Sequence, residues 1–99
     1  MISVVYKWTL WPGEGTLLVP PGAKVLSAKP QSPDIVLYTA SRDTVANETI
    51  RTLVIPTGMP WQVDLDAWEF VDTVDLDGLF FHVFVGRRDG EYLASTAVV

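Results

Sequence analysis

The chain has no cysteine. Disulfide scaffolds, thiolate-ligated zinc and thiol catalysis are therefore excluded. It has one histidine, His82, so clusters of imidazole ligands are excluded too. Long apolar runs are also missing: no stretch approaches the roughly 20 residues of a membrane-spanning helix. The start, Met1-Ile2-Ser3-Val4-Val5-Tyr6-Lys7, lacks the basic opening and apolar run of a signal peptide. These absences, with no cross-links in so small a domain, lead us to expect a cytoplasmic protein with no membrane partner.

Basic residues are sparse. There are 7 Lys and Arg against 12 Asp and Glu, a formal net charge of −5. Residues 61–80 hold six of the acids, Asp64, Asp66, Glu69, Asp72, Asp75 and Asp77, and none of the bases. Phosphate neutralisation supplies most nucleic-acid affinity, so no nucleic-acid partner is expected. A basic protein partner would be steered towards the acidic stretch instead.

What the chain does have is apolar alternation. Its 99 residues are 48% hydrophobic, enough for one modest core. Ile2, Val4, Tyr6, Trp8 and Leu10 share one face of a first strand. Pro12-Gly13 should break it and Gly15 close the turn. Further strands are expected at 16–19, 24–28, 35–39 and 49–55. Pro30 and Pro33 should bracket the third turn, and Ser41 to Asn47 should be a polar loop. Residues 61–68 have room for one short helical turn capped by Asp64 or Asp66. A sixth strand, 69–76, meets a seventh, 79–86, through Asp77-Gly78, a strong hairpin pair. Residues 89–99 read as an extra strand or a frayed tail. The expected fold is a single all-β domain over residues 1–99: two packed antiparallel sheets of about seven strands, as a β-sandwich or flattened barrel.

The seventh strand stands apart. Leu79, Phe81, Val83 and Val85 face one way, and Phe80, His82, Phe84 and Gly86 the other. Apolar character on both faces marks a central strand covered on both sides. One cover is the facing sheet. The other must be a helix, a long loop or a second copy in a homodimer.

Chemistry is hard to find. His82 has no sequence-adjacent nucleophile or carboxylate to work with, so it reads as a packing residue. The spread acids do not form a calcium loop. The glycines do not make a phosphate cradle, and no G-x-S-x-G is present. No catalytic, cofactor or metal residue is assigned, and no enzyme activity is expected. The four tryptophans are a surplus for this length. Trp8 fits the core alternation. Trp11 and Trp61 flank Pro/Gly breaks and, with Asp64, Asp66 and Glu69, are the candidate partner-binding residues. Lys24, Lys29 and Arg51 are the cations available to an anionic ligand.

Several stretches occur in a telling order. They are Tyr6-Lys7-Trp8-Thr9-Leu10, Val19 to Ser27 (VPPGAKVLS), Val36-Leu37-Tyr38, Leu53 to Pro60 (LVIPTGMP) and Leu79 to Phe84 (LFFHVF). This pattern resembles a family of small uncharacterised proteins encoded by phages, prophages and bacteria. The match spans about residues 4–85, and the tail after Arg88 departs from it. The resemblance implies a compact β domain of phage type with no assigned catalytic residues, and makes His82 part of a recurrent motif. Three functional expectations follow: an accessory protein that binds a host protein, a nucleotide-like small-ligand binder, or a minor virion structural or assembly protein.

Overall fold

The computed structural model describes residues 2–42 and 44–87. Seven strands form two antiparallel sheets: β1 (Val4–Leu10), β2 (Gly13–Val19), β3 (Lys24–Gln31), β4 (Asp34–Ser41), β5 (Glu48–Pro56), β6 (Trp68–Leu76) and β7 (Leu79–Gly86). The first sheet has the order β1-β4-β3 and the second β2-β5-β7-β6. The sheets pack as an open sandwich and do not close into a barrel.

Strand alternation builds the core. Leu10, Ile35, Leu37 and Ala28 point inward from the first sheet, and Ile50, Val54, Val74, Val83 and Val85 from the second. Trp8 is only half-buried, and its indole N–H donates to the Thr39 hydroxyl at 2.8 Å. That bond lets a buried hydroxyl sit in an apolar layer without desolvation cost. The opposite parity of the first sheet faces outward. It carries all three lysines, Lys7, Lys24 and Lys29, in register with Tyr38, Ala40 and Val36.

Several expected boundaries move. Ile2 precedes β1 and is exposed. Gly15 does not close a turn; it lies inside β2, opposite Thr52. Only Trp11-Pro12 separates β1 from β2, because the chain changes sheets there instead of folding back as a hairpin. Pro30 does not bracket a turn either. It lies within β3, an edge strand, where a missing donor costs no ladder bond. The helical turn is a single 3-10 turn, Leu65–Ala67, capped by Asp64, whose side chain accepts from the Asp66 N–H. Asp77-Gly78 turns the β6–β7 hairpin with both φ values positive, 53° and 88°. The extra strand or tail expected at 89–99 lies outside the described residues.

β5 and β6 each pair antiparallel with β7, so they run parallel to one another. A parallel pair cannot be joined by a tight turn and needs a crossover. Residues 57–67 supply it, from the Phe80 end of β7 to the Arg87 end. Thr57 N–H donates to Phe80 O at 2.9 Å, and Arg87 N–H donates to Ala67 O at 3.0 Å.

Candidate functional site

The inner face of the second sheet is filled by core residues, so the crossover runs back over the outer face. Two observations place it there. Thr57 meets outward-facing His82. Leu53 has outward parity, opposite Phe84, yet is fully buried. The long loop is therefore one of the three covers that the sequence of β7 demands. It leaves the β7–β6 half open and covers the rest only around Leu53 of β5, since Glu14, Thr16 and Leu18 on β2 are exposed. Phe70 on β6 and Phe80 on β7 stay more than half exposed, at 55% and 51%. The expectation that β7 is covered on both faces is corrected accordingly: the strand is central, but its outer face is partly open.

The open half is built in rungs across β5, β7 and β6. In the first, Arg51 reaches past Gly86 to lie over the Trp68 ring, 4.7 Å from its centroid. Gly86 makes this geometry possible. A Cβ there would stand 2.9 Å from Arg51 Nε and 3.2 Å from its Cβ. The next rung is Leu53, Phe84 and Phe70, the last two edge to face at 5.6 Å. Then come Ile55, His82 and Thr73, and finally Phe80 opposite Asp75.

His82 is held from both sides. Its Nε2 meets the Thr57 hydroxyl at 2.7 Å and its Nδ1 the Thr73 hydroxyl at 3.0 Å. A hydroxyl can donate or accept, so either tautomer satisfies both ring nitrogens. The imidazole thereby ties the crossover to β6, joining the Thr57-Gly58-Met59-Pro60 and Phe81-His82-Val83-Phe84 stretches.

The residues singled out from the sequence do not form one site. Trp11 is 71% exposed and walls a cavity of about 190 Å³ at the end of the sandwich, with Leu10, Ile35, Leu76 and Phe81. Trp61, Asp64 and Asp66 ride on the crossover. Glu69 has the parity of Val85, opposite to that of Phe70, and lines a different cavity with Ala23 and Lys24. Most of the acidic stretch has local work. Asp64 caps the 3-10 turn, and Asp75 accepts the Gly78 N–H at 2.9 Å. Asp72 pairs with Lys29 of the facing sheet at 3.8 Å, and Asp77 accepts the Ser32 hydroxyl at 2.8 Å. Among the described residues, no three His, Asp or Glu side chains gather to hold a metal ion. Nor do Lys24, Lys29 and Arg51 converge: the lysines are on β3 of one sheet, and Arg51 is stacked on Trp68 in the other.

Sequence reasoning passed over Phe70, Thr57 and Thr73. Counting back from the Asp77-Gly78 turn pairs Thr73 with His82, so that contact has a readable signal. Phe70 sits beyond a bulge between Phe70 and Asp72, which shifts the count. Thr57 arrives from the crossover, which no local pattern announces.

A domain of unknown function, DUF7352, matches residues 1–93. The chain belongs to the DUF7352 family. No curated protein and no solved structure matches it. Membership in the DUF7352 family brings no activity with it. Among the described residues, no helix of this DUF7352 domain is long and apolar enough to cross a membrane.

Proposed function

We propose that this DUF7352 protein is a phage-type accessory protein that works by binding, and that its target is a host protein. The observation that carries the reading is the open half of the outer face. Phe70, Phe84 and Phe80 form an aromatic strip on the β6–β7 hairpin, with Phe70 and Phe80 more than half in water. Exposed aromatics on a fixed strand are what interface hot spots are made of, since little side-chain entropy is lost on docking. Asp75 flanks the strip, and Asp64 and Asp66 stand on the crossover, so the preferred partner presents apolar anchors within a basic rim.

The test is a pull-down from host lysate with wild type and a Phe70→Ser/Phe80→Ser variant, followed by titration of the recovered partner. The double variant should keep its stability to within about 0.5 kcal/mol per site, as surface changes do. It should lose about 2 kcal/mol of binding, roughly thirty-fold in affinity. A partner held equally by both proteins would sink the proposal.

A second reading, binding of a small anionic or nucleotide-like ligand, is favoured by one cleft. Lys24 and Arg42 line a space of about 400 Å³ with Ser3, Ser41 and Gly22. That is within the usual size for ligand sites. A rise in melting temperature with added nucleotides would support it.

A further inference from the structure

Among the described residues each sheet has two edges, and three of the four carry a device against pairing. β3 has a bulge between Val25 and Ser27, together with Pro30. β6 has its own bulge, with Glu69, Asp72 and Asp75 along it. β1 is regular but places Lys7 at its midpoint, so an antiparallel β1–β1 pair would set two ammonium groups face to face. β2 has none of these. Its register with β5 is unbroken from Gly13 to Val19; it has no proline or lysine, and its one charge, Glu14, sits near an end.

We propose that β2 pairs antiparallel with β2 of a second copy, about a twofold axis through Thr16, to form an eight-stranded sheet. The strand is self-complementary in this register. Thr16 meets the partner's Thr16, a favourable cross-strand pair. Gly15 meets the partner's Leu17, so a half-buried leucine packs over a residue with no side chain. Glu14 meets the partner's Leu18 and not the partner's Glu14, which keeps the carboxylates apart. The same edge is the open side of the sandwich, where Tyr6 and Trp8 of β1 and Leu17 of β2 are only partly covered. A second copy is therefore the occupant that fits, because its faces match parity for parity. This interface is separate from the aromatic strip on β6 and β7.

Sedimentation equilibrium should give twice the 11.0 kDa chain mass for wild type. Thr16→Lys, which copies the guard on β1, should give the mass of one chain and a melting temperature that no longer rises with protein concentration. The absence of cysteine permits a register test that does not depend on that variant folding well. Under mild oxidant Thr16→Cys should cross-link, since facing residues lie about 5 Å apart, within disulfide range. Leu18→Cys should not, because its two copies stand about four residues, roughly 13 Å, apart along the strands. A single-chain mass at all concentrations overturns the proposal, as does equal cross-linking at both positions. So does a dimer dissolved by Phe80→Ser but untouched by Thr16→Lys.

Discussion

The rung Arg51–Gly86–Trp68 shows how one missing side chain organises a surface. Glycine in a strand interior normally weakens it, because it adds backbone entropy and no packing. Here the gap is filled by the Arg51 guanidinium, which passes over Gly86 to an indole that is 6% exposed. Gly86→Ala should push Arg51 off the ring. We expect a loss of about 1 kcal/mol, the size of a partly desolvated cation–π contact, read by denaturant melts. Indole fluorescence should change in the same variant, which a simple strand-propensity effect would not produce. Part of this rung was readable: Gly86 and Phe84 are in phase on the outer face of β7. The reach of Arg51 across it was not, because side-chain direction between neighbouring strands depends on a sheet order that the sequence does not state. The same is true of His82. Its pairing with Thr73 follows from the hairpin, while its bond to Thr57 depends on where the crossover travels.

Among the elements, the crossover 57–67 does the work of a helix with almost no helix in it. Its 3-10 turn has no buried residue. What it buries is Leu53, on the face away from the main core. Leu53→Ala should therefore cost about 2–5 kcal/mol, as much as truncating Leu37 in the central core, and urea midpoints of the two variants would compare them. If Leu53→Ala is nearly neutral, the crossover is not a cover but a loose strap. The period-two patterns made the strands legible, and β7 was read to the residue because both of its ends carry clear turn chemistry. The β1–β2 junction was misread because Pro12-Gly13 and Gly15 are equally suited to a hairpin and to a change of sheet. Local turn signals show where a chain bends, not which sheet it enters next.

On the scale of the whole molecule, the formal charge hides an asymmetry. The three lysines lie on the outer face of the first sheet. The acids gather on β6 and the crossover. For the proposed host partner, association should slow as salt rises, with dissociation little changed, because rim charges act mainly on encounter. Stopped-flow measurement between low and physiological ionic strength tests this, and a salt-independent association rate would argue against a basic partner. The acidic segment was visible in the sequence from the start. The Asp64 cap and the Asp75 role at the hairpin were legible too, being local; the Asp72–Lys29 and Asp77–Ser32 contacts were not, since those partners come from distant parts of the chain.

The lysine-bearing face has a consequence of its own. Lys7, Lys24 and Lys29 on one outer face, with Asp64, Asp66 and Asp75 on the crossover and the outer face of the other sheet, make the charge uneven, so an external field acts on the domain as a torque as well as a pull. A molecule that is negative overall can then arrive at a charged surface already turned, presenting the aromatic strip to a cationic target and its back to an anionic one. Orientation would be settled in solution, before any side chain makes contact.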